Sequence, residues 1–227
     1  MNTKLITTNG GPLIKFQDKE KIESFRNGTI YMKSLEYYRK READTGDDTV
    51  GDLFEGMVHV CDGYIYIPEL NVHQRLSDEL IKTTFSNSYV FCMLGISPNI
   101  TSFSFTDEQR EKISTFGDTA LIITDKYEFL RRVTAAVLHK NLDGRHGFVT
   151  YGDESTDSVA YWCSLLKNGM NYSAFWKRKK YAYQQEYRLL IDNPPTEEDY
   201  FRLNIGSIED ISIMCSTKEA LTLVQNT

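Results

Sequence analysis

The most hydrophobic run of the chain is YVFCMLGIS, residues 89–97. It carries no charge, and apolar side chains occupy both of the faces that alternate along an extended chain. A short uncharged run of this kind predicts a strand that is buried on both faces at the centre of a sheet. We therefore expect the fold to be built around residues 89–97.

The strands and helices on either side of this run follow a mixed order. A strand is predicted at residues 13–16, a helix capped by Asp18 over about 19–26, and a second strand at 29–32. Further strands are predicted at 119–124, 148–151, 181–191, 200–205 and 208–215, and helices from 106, over 126–140 and over 218–225. Because strands outnumber helices, we predict an α+β fold, with residues 1–227 as a single domain around a mixed or antiparallel central sheet with flanking helices.

The segment from residue 35 to residue 88 gives weaker signals. An aromatic turn is predicted at residues 35–39 and an exposed acidic loop at 42–52. Asp62-Gly63 favours a hairpin between strands at 54–60 and 64–67. Residues 71–82 have a helical pattern, and a flap or lobe is predicted at 68–84.

The composition limits where in the cell the protein is expected and which classes of partner it could bind. The 227 residues carry a net charge of −6, which argues against a protein that coats duplex nucleic acid through its overall field. No apolar run is long enough to span a bilayer and no signal peptide is recognised, so a cytoplasmic protein without a membrane partner is expected. The cysteines at 61, 92, 163 and 215 are widely spaced, which favours reduced thiols over a zinc site or disulfides.

The strongest candidate for a site is FWKRKKYAYQQEYRLLI, residues 175–191. If residues 181–191 form a strand, alternation places Gln184, Glu186 and Arg188 on one face. An amide, a carboxylate and a guanidinium would then share one surface. The competing interpretation is a surface carboxylate paired with a neighbouring cation.

The basic half of this stretch predicts a second kind of contact. Lys177 and Lys180 stand in a run of four cations beside Trp176 and Tyr181. Cations neutralise phosphates and aromatic rings stack bases, so a nucleotide, another phosphate-bearing ligand or a single-stranded nucleic acid is the expected partner. The alternative is a solvated run of surface charge.

Acidic residues offer a weaker metal hypothesis. The loop carries Asp44, Asp47, Asp48 and Asp52, and Glu55 follows in GDLFEG, residues 51–56. Carboxylates are the ligands that Mg²⁺ prefers, but their spacing is loose, and we expect no metal. The glycines predict a tight loop that fixes Asp52 and Glu55 near a cleft.

The order of these pieces resembles a widespread bacterial family, domain of unknown function 2971, and related abortive-infection proteins. The resemblance rests on LIKF (13–16), GTIY (28–31), YVFCMLGIS (89–97), FGD (116–118), ALII (120–123), FVTY (148–151), Lys177, Tyr181 and QQEYR (184–188). It covers most of the chain and implies a role in phage defence, in the setting of conflict between phage and host. It implies no particular biochemical activity.

A second resemblance is to ADP-ribosyltransferases, which carry Glu-x-Glu or Gln-x-Glu on a late strand. Gln184-Gln185-Glu186 has that spacing. The resemblance implies NAD as cofactor, with Glu186 stabilising the oxocarbenium-like transition state and Gln184 orienting the acceptor. It also implies a phosphate held by Arg188 or Lys15 and a nicotinamide stacked by Tyr31 or Tyr38. Lys15 departs from the His or Arg that these enzymes use to hold NAD.

Three functions remain open at this point. The first is a nucleotide-acting protein with ADP-ribosyl transfer or NAD cleavage as its chemistry. The second is a non-catalytic module that binds a nucleotide or a partner protein through the basic aromatic stretch. The third is a metal-dependent nuclease that uses Asp52, Glu55 and Glu186 with Lys180.

Overall fold

The computed structural model describes residues 11–46, 49–56, 58–60, 63–67, 72–76, 79–81, 87–97, 102–152, 170–222 and 225–226. The chain divides into two compact units. One, here called the sheet unit, takes residues 1–34, 89–148 and 183–227, and the second unit takes residues 35–88 and 149–182. The single domain expected from the sequence stays a prediction.

Helices and strands are short. The α-helices are α1 (Lys19–Arg26), α2 (Leu35–Thr45), α3 (Asp107–Ile113), α4 (Lys126–His139) and α5 (Thr217–Ala220). The strands are β1 (Leu13–Gln17), β2 (Thr29–Ser34), β3 (Val58–Val60), β4 (Gly63–Ile67), β5 (Val72–Leu76), β6 (Glu79–Ile81), β7 (Ser88–Gly95), β8 (Ser102–Phe103), β9 (Thr119–Ile123), β10 (Asp143–Phe148), β11 (Thr150–Gly152), β12 (Trp176–Arg178), β13 (Glu186–Asp192), β14 (Tyr200–Asn204), β15 (Ser212–Ser216) and β16 (Gln225–Asn226). Among the described residues no helix is long and apolar enough to cross a membrane.

The sheet unit is organised around an eight-stranded sheet. Its main order is β10-β13-β7-β1-β9-β15, and β2 pairs with both β7 and β14. Two different strands, β1 and β2, therefore pair with β7, an arrangement we call the fork. Its end pairs with β1 at Leu13↔Gly95, and its beginning pairs with β2 at Lys33↔Val90, both antiparallel. The predicted α+β class, with a mostly antiparallel sheet, is confirmed.

Two apolar clusters cover the two faces of this sheet. One joins alternate residues of β7 and β13 to α1 and α4, through Phe91, Leu189, Phe25 and Phe129. The other joins the opposite faces of β1, β7 and β9 to the loop before α3, to α3 and to the end of the chain, through Ile14, Leu94, Phe105, Ile113 and Leu221. The predicted central strand is confirmed, because β7 is buried along nearly all of its length.

The predicted helix starts are confirmed with one difference in mechanism. Thr106 accepts from the backbone of Gln109 while the Gln109 side chain accepts from Thr106, so a capping box begins α3. Asp18 precedes α1 as predicted but makes no side-chain cap hydrogen bond. Its carboxylate instead pairs with Lys21 at 2.9 Å.

Several predictions for the second unit are wrong. Residues 35–39 begin a helix, α2, instead of an aromatic turn. Residues 71–82 contain β5 and β6 instead of a helix, although parts of the predicted flap at 68–84 lie outside the described residues. β3 pairs with β6 and β4 pairs with β5, so Asp62-Gly63 does not join two paired strands. The pairing of β4 with β5 lies inside the pairing of β3 with β6, and these pairings override the local turn signal.

Two further predictions, one of a strand and one of a helix, are also corrected. The strand predicted at 148–151 is divided between β10, which pairs with β13, and β11, which pairs with β12. The last helix is only Thr217–Ala220, and residues 225 and 226 pair with β8.

Candidate functional site

The motif strand begins later than the alternation predicts. Residues 179–184 form a 3₁₀ helix, and β13 starts at Glu186. Gln184 is therefore not placed on the face of Glu186 by strand parity, and this part of the prediction is wrong. Its buried side chain instead donates from Nε2 to the Tyr183 hydroxyl at 3.3 Å.

Gln185 joins the 3₁₀ helix to the strand in a strained conformation. Its φ is +42°, in the left-handed region that non-glycine residues seldom occupy. The backbone is held there by the amide of Gly95, which donates to the Gln185 carbonyl at 2.9 Å. The side-chain oxygen of Gln185 is buried and has no hydrogen-bond partner within the described chain. Strain and a buried polar atom together at one residue are more frequent at functional sites than elsewhere.

The strain predicts an unusual stability change. Gln185→Gly should raise the free energy of unfolding by up to about 1 kcal/mol, because glycine adopts positive φ without steric cost. Gln184→Gly is the matched control: its φ is not positive, so the variant should lose stability. Urea titration followed by circular dichroism measures both. A loss of stability in Gln185→Gly similar to that of the control would show that the left-handed conformation carries no strain.

Glu186 and Arg188 form a buried ion pair on β13. Arg188 Nε donates to Glu186 Oε2 at 2.7 Å, and their side chains are 1% and 9% exposed respectively. They project from the face opposite to Tyr187 and Leu189, which pack against the α1 and α4 side. The predicted alternation of Glu186 and Arg188 is therefore correct, and the pair lies inside the protein.

Lys15 lies close to this pair, in the fork beside β7. Its ammonium donates to the Cys92 carbonyl at 2.8 Å and lies 4.6 Å from the centre of the Phe91 ring. Burial lowers the pKa of Lys15, and the nearby Cys92 and Glu186 oppose that shift. The structure thus brings together Glu186 and Arg188, two of the predicted site residues, and places Lys15 within range of the Glu186 charge.

This cluster is chemically unusual but closed. One carboxylate and one cation are buried in an apolar sheet, where unpaired charge is costly, and the half-buried Lys15 is a second cation nearby. Glu186 already bonds Arg188, and Lys15 already bonds a backbone carbonyl. A substrate would have to replace one of these contacts in order to reach the carboxylate. A groove of about 460 Å³ on the sheet unit is lined by α4 and the end of β14, and by none of the predicted site residues.

Comparison with protein-family models, with curated proteins and with solved structures finds no match to this chain. The resemblances stated above therefore stay expectations.

An exposed aromatic surface on β2 and β14 contains another predicted residue. Tyr31 and Tyr200 lie on adjacent strands and stack with ring centres 5.1 Å apart and planes inclined by 18°. Arg202 lies opposite Tyr31 and Lys33 lies opposite Tyr200, so the two cations occupy the other diagonal of the same face. We call these four residues the tyrosine platform.

The cations of the platform contact both rings. The Arg202 guanidinium carbon is 5.6 Å and 5.2 Å from the centres of Tyr31 and Tyr200. Lys33 Nζ is 5.5 Å and 5.8 Å from the same centres and pairs with Asp199 at 2.9 Å. Burial acts to lower the pKa of Lys33, but hydrogen bonds to Asp199 and Tyr31 outweigh it and raise the pKa. Tyr31 is 40% exposed and Arg202 is exposed, so the platform faces solvent.

The basic run belongs to the second unit and is partly buried. Lys177 is buried and pairs with Glu55 at 3.7 Å, while Arg178 pairs with Asp52 at 3.0 Å. Tyr181 is also buried, whereas Lys180 is exposed and lies 4.7 Å from the centre of the Tyr181 ring. The predicted phosphate contacts through Lys177 and Tyr181 would therefore need this packing to open.

The exposed acidic loop predicted at 42–52 is only partly correct: its first residues belong to α2, Asp44 is exposed, and the end of the segment is buried. Asp52 and Glu55 are each 2% exposed, and the Asp52 amide donates to the Tyr38 carbonyl, which places Tyr38 against the buried loop. Burial, followed by the neighbouring Glu55, raises the pKa of Asp52. The described residues contain no group of three or more ligands suited to a metal. The nuclease hypothesis gains no support, because both carboxylates already pair with cations.

Gln185, Lys33, Tyr200 and Arg202 are not among the residues predicted from the sequence. Tyr200 and Arg202 had a detectable signal, since Tyr200, Arg202 and Asn204 alternate with more apolar residues along β14. Without the pairing of β14 with β2, that alternation did not connect them to Tyr31.

Proposed function

We propose that this protein is a nucleotide-binding module whose ligand docks on the tyrosine platform. The observation that carries the proposal is the solvent-facing stack of Tyr31 on Tyr200 with Arg202 and Lys33 on its two sides. Aromatic rings and guanidinium planes both stack nucleobases, and the same cations can contact phosphate. Single-stranded nucleic acid is included in this ligand class.

The charges of the platform favour a ligand with few negative charges. Asp199 already neutralises much of Lys33, so Arg202 is the cation better placed for a phosphate. The net charge of −6 opposes long-range attraction of a polyanion. Stacking should therefore contribute more to affinity than phosphate contacts, and the salt dependence of binding should be shallow.

The test is titration of ATP and of a short oligothymidylate into the protein, followed by calorimetry. Tyr31→Ala should weaken binding by about 1–3 kcal/mol, the usual cost of losing a stacking ring. Arg202→Ala should weaken binding and reduce its salt slope. Tyr127→Ala is the control, because Tyr127 is 61% exposed on α4. Equal affinities for Tyr31→Ala and Tyr127→Ala would refute the platform as the binding surface.

ADP-ribosyl transfer or NAD cleavage is the second candidate. It is favoured by the buried Glu186, which directly follows the strained Gln185 and whose charge acts on Lys15. In this proposal Glu186 stabilises the oxocarbenium-like charge after a substrate has displaced one of its contacts. Mass spectrometry of NAD after incubation with the protein separates turnover from simple binding. If the amount of NAD is unchanged after long incubation, the catalytic proposal is refuted and the non-catalytic binding module remains.

A further inference from the structure

The groove between α4 and the end of β14, here called the α4 groove, is not used by the proposed function. Its volume of about 460 Å³ is within the range of sites that bind small molecules. Six of its lining residues form two rows with a spacing of four along one face of α4 and its C-cap: Arg131, Ala135, His139 and Arg132, Ala136, Lys140. From residue 131 to residue 139 this face is about 12 Å long.

The middle of the α4 groove is apolar. Ala135 and Ala136 carry only a methyl group, so the helix leaves space between the larger side chains at the two ends. Ile205 lines the groove from the end of β14, is buried, and belongs to the apolar cluster against which Ala136 packs. The apolar part of a ligand would therefore contact methyl groups of the helix and of the sheet.

Ion pairs neutralise the cations at the N-terminal end of the groove. Arg131 Nε bonds Glu128 at 2.7 Å. Arg132 bonds Glu128 at 2.8 Å and Asp210 at 2.6 Å. The two cations and the two carboxylates cancel in formal charge. This end therefore offers little attraction to a further anion.

The C-terminal end of the groove is positively charged. In the ranges that the structure describes, no carboxylate bonds the side chain of His139 or Lys140, and both residues are exposed. The helix does not need these side chains as caps, because the carbonyls of residues 136–138 already accept from backbone amides. The full charge of Lys140 also exceeds the partial charge of about −0.5 at a helix C-terminus. The groove thus joins an apolar middle to one cationic end.

We propose that the α4 groove binds a small amphiphilic carboxylate, with the carboxylate at Lys140 and an apolar chain over Ala135 and Ile205. One negative charge matches this arrangement, because the opposite end of the groove is already neutral. The net charge of −6 also disfavours ligands with several negative charges. A chain of medium length suits a face of about 12 Å. The groove shares no residue with the tyrosine platform.

The experiment titrates octanoate, below its micelle concentration, into the full-length protein and measures binding by calorimetry. Acetate, which lacks the chain, and octylamine, which carries the opposite charge, are the matched ligands. Octanoate should bind at least about tenfold more tightly than either, since several buried methylenes or one charge-assisted hydrogen bond can each supply that factor. The absence of octanoate binding, or an equal affinity for either matched ligand, would overturn the proposal.

Two substitutions at neighbouring positions of α4 test the location. Ala135→Leu fills the middle of the groove and should weaken octanoate binding severalfold. Thr134→Leu places the same side chain outside the lining and should leave the affinity unchanged. Both positions are exposed and leucine is a good helix former, so both variants should fold. Equal affinities for the two variants would overturn the assigned groove.

A pair of substitutions at Lys140 tests where the carboxylate lies. Lys140→Ala should weaken octanoate binding about tenfold, the effect of losing one charge-assisted hydrogen bond, whereas Lys140→Arg keeps the charge and should retain most of the affinity. Lys19→Ala, at an exposed lysine of α1, is the control and should bind octanoate normally. An unchanged affinity in Lys140→Ala would overturn the proposed position of the carboxylate.

Discussion

Arg188→Met is expected to lower the free energy of unfolding by about 3–5 kcal/mol. The variant leaves the Glu186 carboxylate buried without the guanidinium that bonds it at 2.7 Å. Glu186→Gln should also be costly, because it removes the carboxylate that the Arg188 guanidinium, 1% exposed, bonds at 2.7 Å. Urea titration measures both losses. The control is Lys19→Met, which breaks an exposed pair with Glu23 and should cost less than about 1 kcal/mol.

A double variant separates a lost pair from lost packing. Glu186→Met with Arg188→Met removes both charges and should be considerably more stable than either single variant, because no buried charge is left alone. If Arg188→Met costs no more than the surface control, Glu186 is effectively solvated, and its availability to a substrate increases. The result therefore also bears on the proposed NAD chemistry.

Gly28→Ala is expected to cost at least about 3 kcal/mol. Gly28 has a φ of +99°, and a Cβ there would lie 2.2 Å from the Gly206 carbonyl oxygen, a backbone atom that cannot rotate away. Strain and overlap would act together at the turn between α1 and β2, beside the tyrosine platform.

Gly206→Ala is the matched control for that substitution. Gly206 also has a positive φ, +75°, but a Cβ there meets nothing within 4 Å. Its cost should be only the left-handed conformation, about 1–2 kcal/mol. Thermal unfolding of both variants measures the difference. Equal costs would show that the close approach of the two glycine backbones relaxes freely.

Sequence patterns that span only a few residues predicted many of the strands and helices of the sheet unit. The uncharged run of β7 identified its central strand, and Thr106 marked the start of α3. Such signals are local, because burial on both faces and a helix cap depend on neighbouring residues. The pairing of β3 with β6 and the fork beside β7 depend on distant partners. Local patterns do not specify those partners.

The candidate site shows the same division. Alternation correctly placed Glu186 with Arg188, but it failed one residue earlier, at Gln185. The backbone of Gln185 is in the left-handed conformation, and its carbonyl accepts a hydrogen bond from Gly95, 90 residues earlier in the sequence. The burial of Lys177 likewise depends on Glu55, a carboxylate from a distant segment. Period-two reasoning assumes a strand, so it cannot detect the point at which a strand begins.

The forked pairing of β7 also has a consequence for amide hydrogen exchange. β7 bonds β13 on one edge and both β1 and β2 on the other, and its side chains are buried on both faces. Local fraying exposes edge strands first, whereas these amides meet solvent only when the surrounding strands separate. The amides of Phe91 and Met93 should therefore exchange among the slowest in the sheet unit. Their rates would report its global opening.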